Sequence, residues 1–204
     1  IPCCADFDYF PLSTPARTAQ AKEMAGIPQA SRVLGYLGSV GRMYMLDRFF
    51  RFFQLACNSC DDCHALIITQ DIDALREVMK RSLPAALETR VHITSASRSE
   101  VPDILPAFGA LVSFLEPSYS RMAMSPTKLA ECFAEGVPVI CNDGVGDVAM
   151  LIEQLHAGVI VDPESDIDLS MIAQNLDGVF KMGGQRLRDA ARPLLGLEVA
   201  AVRY

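Results

Sequence analysis

Lys128 and Glu131 are the side chains whose types and spacing point most directly to chemistry. They belong to Ser125–Glu131 (Ser-Pro-Thr-Lys-Leu-Ala-Glu), in which Ser125 suits a helix N-cap and Pro126 the first helical position. A lysine in the first turn is unfavourable, because the helix dipole prefers negative charge there. An external anion such as a diphosphate would remove this conflict by docking on the exposed N–H groups beside Lys128, with Glu131 free to accept hydrogen bonds from sugar hydroxyls. A capped surface helix with a Lys–Glu pair explains the same residues equally well.

Three other loops carry residues that could bind a ligand. In Gly38–Arg42 (Gly-Ser-Val-Gly-Arg), glycines would let backbone N–H groups approach an anion and Arg42 could pair with phosphate, although such turns are also common for steric reasons. The small polar loop Ser95–Arg98 is either a base-contacting loop or a plain solvated turn. Asn142–Asp147 contains Gly-Val-Gly but lacks the third glycine of a dinucleotide fingerprint, which favours a tight turn.

A cysteine run forms a fourth candidate site. Cys57, Cys60 and Cys63 are spaced by three residues, and Cys60 to His64 matches C-x-x-C-H, the attachment sequence for c-type haem. The run could also supply three metal ligands. No second cysteine pair stands at zinc-ribbon spacing, so we expect reduced loop cysteines without metal.

Composition and charge exclude several classes of protein. The 204 residues include 18 Lys+Arg against 25 Asp+Glu, and a net charge of −7 argues against a nucleic-acid-binding groove. The longest charge-free apolar run, Ile104–Leu115, is too short for a membrane span. Seven cysteines in an acidic chain indicate a protein of the reducing cytoplasm rather than a disulfide framework. A protein that acts at the inner face of the cell membrane is compatible with this location. The histidines read as structural: His64, His92 and His156.

Short apolar runs alternating with amphipathic segments provide the frame for these loops. Strands are predicted at Arg32–Gly38, His64–Thr69, Arg90–Ser95, Ala110–Leu115, Pro138–Asn142 and Gly158–Val161. Helices are predicted at about Met45–Cys57, Asp71–Ser82, Glu100–Ala107, Pro126–Ala134, Asp147–His156, Ile167–Lys181 and Gln185–Val202. Apolar strands that are each followed by a helix are typical of a parallel sheet covered on both faces. The fold class is therefore α/β, a Rossmann-like, doubly wound, six-stranded parallel sheet, whose ligands lie beyond the carboxyl ends of the strands.

The chain divides into three parts by composition. Residues 1–30, which hold four prolines, read as a linker leading in from an N-terminal domain outside this sequence. Residues 31–182 form the Rossmann-like domain, and residues 183–204 a C-terminal helix. Because the sequence begins at Ile1 rather than Met and shows no signal segment, we expect a piece of a longer polypeptide.

These motifs together resemble the retaining glycosyltransferases of family 4, or group 1. Ile1–Phe10 is similar to the segment by which these enzymes enter their C-terminal domain, and Gly35–Tyr44 (Gly-Tyr-Leu-Gly-Ser-Val-Gly-Arg-Met-Tyr) resembles the Gly-Ser-Leu-Gly strand-and-loop of one sub-branch. Ser125–Glu131 and Ala134–Ile140 (Ala-Glu-Gly-Val-Pro-Val-Ile) resemble the Ser-Pro-Thr-Lys block of the same group. The resemblance implies the donor-binding half of a GT-B enzyme, which transfers a sugar from a nucleotide diphosphate with retention of configuration.

The resemblance also implies roles for individual residues. Glu131 matches the second glutamate of the E-x7-E motif, which holds the nucleotide ribose. Ser125, Thr127 and Lys128 match the stretch that faces the diphosphate and donor sugar. Gly38, Ser39 and Arg42 match the first phosphate loop, and we place Ser97 in a donor-binding loop. Arg42, Lys128 and Glu131 are the expected catalytic residues, with no cofactor and no obligatory metal.

Two departures from the family pattern bear on the donor. Ala123 stands where the first motif glutamate is expected, so the usual carboxylate contact to the donor sugar is missing. The common Arg and Lys of the first loop align with Ser39 and Tyr44, which leaves Arg42 and Lys128 as candidate cations. The implied partners are a nucleoside-diphosphate sugar and a sugar, lipid-linked or other acceptor held by the missing N-terminal domain, with no nucleic acid. A non-catalytic nucleotide- or partner-binding module and a cysteine-run metalloprotein remain alternatives.

Overall fold

The computed structural model describes residues 3–203. Ile1 and Pro2, which open the segment compared with the family above, lie outside the described residues, as does Tyr204. None of the helices in this described range combines the length and apolar character that a bilayer span requires.

A six-stranded parallel sheet organises the chain, as the sequence predicts. Its strands are β1 (Arg32–Leu37), β2 (Cys63–Ile68), β3 (Val91–Thr94), β4 (Ala110–Ser113), β5 (Val139–Cys141) and β6 (Gly158–Ile160). Their order in the sheet is β3-β2-β1-β4-β5-β6, and every pairing is parallel. The chain builds outward from β1 in one direction and then returns to its other side with β4. The strand order therefore reverses between β1 and β4, which is where doubly wound sheets bind their ligands.

Helices cover both faces of the sheet. They are α1 (Pro15–Met24), α2 (Leu46–Ser59), α3 (Ile72–Ser82), α4 (Val101–Ile104), α5 (Thr127–Glu135), α6 (Val148–Leu155), α7 (Asp166–Gln174), α8 (Leu176–Phe180), α9 (Gln185–Leu195) and α10 (Leu197–Arg203). On one face α2 packs against α3 and α7, and on the other α5 and α6 pack against α9. Alternate residues of β1 serve the two sides, since Val33 belongs to one core cluster and Leu34 to the other.

The N-terminal segment differs from the expected linker because it contains a helix and part of the core. Thr14 caps α1 by accepting a hydrogen bond from the backbone N–H of Arg17 at 3.3 Å, and Pro15 occupies the first helical position. Phe7 and Phe10 are fully buried in the core cluster that also contains residues of α5 and α9. Pro15 thus starts a helix within a segment that was expected to be a linker.

The C-terminal helices are also more divided than the sequence suggests. The predicted helix at Ile167–Lys181 is two helices, α7 and α8, separated at Asn175, whose φ of −120° is not helical. The predicted C-terminal helix is interrupted at Gly196, which is extended between α9 and α10. The predicted helix at Glu100–Ala107 becomes α4 followed by a 3-10 turn, Leu105–Ala107.

Candidate functional site

A cleft of about 440 Å³ opens at the carboxyl edge of the sheet, next to the point where the strand order reverses. Residues from β1 and its loop form one wall: Leu37, Gly38 and Ser39. The start of α5 forms another: Pro126, Thr127, Lys128 and Glu131. Phe10, Tyr44, Ala96, Arg98, Val101, Leu115 and Met124 complete the lining. The structure thus brings together five residues that the sequence analysis assigned to donor binding, which are Gly38, Ser39, Thr127, Lys128 and Glu131.

Helix α5 begins one residue later than the sequence suggested, so Ser125 is not its cap. Pro126 is extended, with φ −68° and ψ 118°, and stands at the N-cap position without a capping side chain. The Ser125 hydroxyl instead accepts a hydrogen bond from the backbone N–H of Cys3 at 2.9 Å and donates to Asp147 Oδ2 at 3.3 Å. Ser125 therefore ties three segments together behind the cleft rather than lining it, while the N–H groups of the first turn of α5 face outward from the helix end.

Lys128 points back across the cleft to the first strand. Its ammonium donates a hydrogen bond to the Leu37 carbonyl at 3.2 Å and would lie 3.6 Å from a Cβ placed on Gly38. Gly38 itself has φ +143°, a conformation that favours glycine, so the loop can pass close to the ammonium. Burial lowers the pKa of Lys128 to about 8. A desolvated cation at a helix N-terminus attracts an anion strongly.

Glu131 lies one turn further along α5 and faces the loop after β3. It is only 8% exposed, and its Oε1 is 3.6 Å from Nη2 of Arg98, whose side chain is largely in solvent. Burial raises the pKa of Glu131, and the Arg98 guanidinium partly opposes that rise. Lys128 and Glu131 therefore turn to different partners instead of forming the surface pair that the sequence left open.

Two further predicted site residues, besides Ser125, lie away from the cleft lining. Arg42 begins the 3-10 helix Arg42–Tyr44 and lines a separate surface cavity against α3. The Ser97 hydroxyl hydrogen-bonds to Glu100 Oε2 at 2.7 Å, so Ser97 organises the turn that leads into α4. Its neighbour Arg98 reaches the cleft instead.

The Asn142–Asp147 loop is a tightly packed turn, as expected. The Asn142 side chain is buried and brackets Leu115, accepting from its backbone N–H and donating to its carbonyl, each at 2.8 Å. Gly146 has φ +47°, and a Cβ there would come within 1.7 Å of the Met124 carbonyl oxygen. The second glycine of Gly-Val-Gly therefore permits close packing against the segment before α5.

The cysteine run lies at the opposite edge of the sheet from the cleft. Cys57 is in α2, Cys60 follows that helix, and Cys63 is fully buried at the start of β2. The Cys60 thiol donates to Asp62 Oδ1 at 2.6 Å. Across residues 3–203 no group of three or more His, Cys, Asp or Glu side chains could hold a metal ion. The described residues therefore give no support to the alternative in which Cys57, Cys60 and Cys63 supply three metal ligands.

Sequence reasoning missed Arg98, Tyr36 and Tyr44 as residues of the site. Arg98 was included in a polar loop but given no role, although it is the cation that pairs with Glu131. The ammonium of Lys128 lies 5.4 Å from the ring centroid of Tyr36 and 5.5 Å from that of Tyr44. The sequence offered one signal for Tyr44, because this tyrosine stands where the resembling family commonly has the lysine of its first loop.

One protein family and several solved structures are similar to this chain. The family described as "Glycosyl transferases group 1" matches residues 31–178. No curated protein sequence matches the chain significantly. Among solved structures, a glycosyltransferase from Rickettsia africae superposes with a TM-score of 0.75 at 14% identity, over 98% of this chain and 54% of that one.

Two further structures show a similar fold. Anabaena Alr3699/HepE, solved in complex with UDP and glucose, gives a TM-score of 0.73 at 14% identity over 98% of this chain and 54% of that chain. The C-terminal domain of a group 1 family protein, LpcC from Francisella tularensis, gives 0.65 at 18% identity over 98% of both chains. The chain spans about half the length of the Anabaena and Rickettsia proteins. The family match, which covers most of the sequence, shows that this chain belongs to the group 1 glycosyl transferases.

Proposed function

We propose that this chain is the nucleotide-sugar-binding half of a retaining glycosyltransferase. The observation that carries the proposal is the cleft at the strand reversal, in which the Lys128 ammonium and the N-terminus of α5 lie beside the buried carboxylate of Glu131. An anion site next to a buried hydrogen-bond acceptor suits a ligand with a diphosphate at one end and sugar hydroxyls nearby. UDP is bound in the Anabaena structure, and UDP-glucose in a second structure of that protein, which supports a nucleoside-diphosphate sugar as donor.

The diphosphate would bind between Lys128, Thr127 and the loop at Gly38 and Ser39. During transfer the bond between the anomeric carbon and the diphosphate oxygen would break, and a bond would form to the acceptor hydroxyl oxygen on the same face of the sugar. The acceptor hydroxyl would pass its proton to the leaving diphosphate. The leaving oxygen gains negative charge, which the Lys128 ammonium and the N–H groups of α5 would stabilise as preorganised positive charge, without an obligatory metal. Glu131 would accept hydrogen bonds from the ribose hydroxyls. Arg42 remains a predicted catalytic cation, but it lines a different cavity. Its loop would have to reorient for the guanidinium to reach the diphosphate.

The donor sugar is the component that this chain specifies least. Ala123, at the position of the first motif glutamate, ends the exposed 3-10 helix Tyr119–Ala123 and offers no carboxylate to the sugar. We propose that the sugar is held mainly through the diphosphate and by groups of a second domain. That domain would also hold the acceptor, and the isolated chain would then bind donor but transfer little. A cytoplasmic location and a peripheral contact of the full-length protein with the membrane stay predictions.

The proposal is tested by calorimetric titration of the chain with UDP, GDP, ADP and inorganic pyrophosphate. We expect one nucleotide to bind more tightly than pyrophosphate, because it adds the ribose contact to Glu131. Glu131→Ala should weaken the nucleotide about tenfold or more and leave pyrophosphate unchanged, since a hydrogen bond to a charged group contributes about 1.5–3 kcal/mol. Equal loss for both ligands would contradict the ribose assignment.

The alternative is a module that has lost transferase chemistry, and the absent glutamate at Ala123 favours it. An assay of the full-length protein distinguishes the transferase from the non-catalytic module. The protein is assayed for hydrolysis of the nucleotide sugar whose base the titration identifies. Turnover that Lys128→Met abolishes supports the transferase. Tight nucleotide binding without any turnover or transfer, tested over a set of acceptors, supports the module.

A further inference from the structure

Lys128 is a half-buried cation whose partners are aromatic rings rather than a carboxylate. Its ammonium lies 5.4 Å from the ring centroid of Tyr36 and 5.5 Å from that of Tyr44. Its hydrogen bond goes to a neutral acceptor, the Leu37 carbonyl, at 3.2 Å. Among the described residues no carboxylate forms an ion pair with it. Its positive charge is therefore not cancelled within the cleft.

The two rings come from different elements of the fold. Tyr36 is fully buried in β1, with its ring edge-on to Phe49 at 5.8 Å, and its hydroxyl donates to the Ser39 carbonyl at 2.6 Å. Tyr36 thus fixes both the loop at Ser39 and one side of the ammonium. Tyr44 is the last residue of the 3-10 helix Arg42–Tyr44, which follows β1, and its side chain lines the cleft.

The rings of Tyr36 and Tyr44 form an aromatic cradle for the Lys128 ammonium, and this cradle acts on the charge differently from a salt bridge. Ring faces attract the ammonium over the neutral amine and so oppose the effect of burial, yet they leave the charge unneutralised. We propose that Tyr36 and Tyr44 are positioning residues of the donor site, which hold the Lys128 ammonium charged and aimed into the cleft so that the bound diphosphate becomes its counter-ion. The identity of that counter-ion rests on the proposed function, whereas the cradle itself does not.

Few other ionisable groups face Lys128. Within α5 the Cys132 thiol lies near it, and burial raises the pKa of that thiol well above its usual value. From β1 comes the phenol of Tyr36, whose pKa is also raised by burial, and from the 3-10 helix Arg42–Tyr44 comes the phenol of Tyr44. Glu131 and Arg98 share the cleft but pair with each other. Because burial lowers its pKa to about 8, Lys128 is expected to titrate between pH 7 and 9.

The test uses Tyr44, because its ring is less buried than that of Tyr36 and its removal threatens the fold less. Tyr44→Phe keeps the ring, whereas Tyr44→Leu removes it. The titration of the Lys128 side chain is followed by NMR of the lysine Cε resonances in the ligand-free protein, with the Lys128 signal assigned by its loss in Lys128→Arg. We expect the midpoint to fall by about half a pH unit in Tyr44→Leu and to stay unchanged in Tyr44→Phe, which is the effect of one ring.

UDP affinity between pH 7 and 9 supplies the second readout. In the wild type the affinity should decline as pH rises through the titration of Lys128, and in Tyr44→Leu this decline should begin about half a pH unit lower. Adding Lys128→Arg to Tyr44→Leu should remove the pH dependence, because an arginine stays charged.

An unchanged Lys128 midpoint in Tyr44→Leu overturns the cradle. A lowered midpoint without any nucleotide binding supports the cradle and contradicts the proposed function. A loss of affinity in Tyr44→Leu that is equal at every pH would show that Tyr44 contacts the ligand and does not act through Lys128.

Discussion

Lys128→Met should make the protein more stable while removing its diphosphate site. Burial lowers the pKa of Lys128 from 10.5 to about 8, so the folded state binds this proton less tightly than the unfolded state does. At pH 7 the lysine is protonated in both states, and the full penalty applies. A difference of about 2.5 pKa units corresponds to at most about 3 kcal/mol of destabilisation, because the side chain is only half-buried and lines an open cleft. A neutral side chain of similar length would avoid this penalty.

The size of this gain should depend on pH. As pH rises above 8 the folded protein loses the proton first, and the penalty declines to about 1 kcal/mol near pH 9.5. The lost hydrogen bond to Leu37 and the lost ring contacts reduce the net gain, which leaves about 1–2 kcal/mol at pH 7. Diphosphate affinity should fall about 10- to 100-fold in the same variant.

The assay is urea unfolding of wild type and Lys128→Met at pH 7 and pH 9.5, with Lys128→Arg as the control. The arginine variant keeps the buried charge, so it should not gain stability. A Lys128→Met protein that is less stable than wild type at pH 7, or a gain that does not shrink at pH 9.5, would show that burial of the Lys128 charge does not destabilise the folded protein.

Three further predictions concern the packing and the limits of the site. Gly146→Ala should destabilise the fold by about 1–3 kcal/mol in urea unfolding, because its Cβ would meet the Met124 carbonyl oxygen at 1.7 Å. The control is Gly26→Ala, at φ +66° with open space around it, which should destabilise the fold clearly less. Equal losses of stability in the two variants would show that backbone strain alone is responsible. Burial raises the pKa of Glu135 to about 7 despite its ion pair with Arg17 at 3.1 Å, so its protonated form favours folding. Wild type should therefore lose up to about 3 kcal/mol of unfolding free energy relative to Glu135→Gln as pH rises from 4.5 to 8, and parallel pH profiles would contradict this. Arg42→Ala should change UDP affinity less than twofold by calorimetry, because Arg42 lies outside the cleft; a tenfold loss would restore it as a donor ligand.

The sheet and the general position of the cleft could be predicted from the sequence because they depend on local patterns. Apolar runs such as Arg32–Leu37 and Ala110–Ser113 form buried parallel strands, and the loops that follow parallel strands meet at one edge. The Ser-Pro-Thr-Lys block places Lys128 and Glu131 on the first turns of α5, and both do line the cleft.

Residues brought together by tertiary packing could not be predicted in the same way. Helix α1 was missed because its amphipathic pattern is weak and prolines surround it, although Thr14-Pro15 is a helix start signal. The Tyr36 ring belongs to the opposite core face from Leu37, so nothing local shows that its hydroxyl reaches Ser39 and its ring reaches Lys128, 92 positions away. The pairing of Arg98 with Glu131 likewise depends on the placement of the loop after β3 against α5.

We propose that a nucleoside diphosphate binds in the cleft between the loop after β1 and the start of α5. Amide chemical-shift mapping of the ¹⁵N-labelled chain, on addition of UDP or whichever nucleotide binds, would locate that site. We expect the largest, saturable shifts on the amides of Gly38, Ser39, Thr127 and Lys128, with small shifts at Arg42 and none at the Cys57–Cys63 edge. Saturable shifts centred elsewhere, for instance on the cavity beside Arg42, would contradict it.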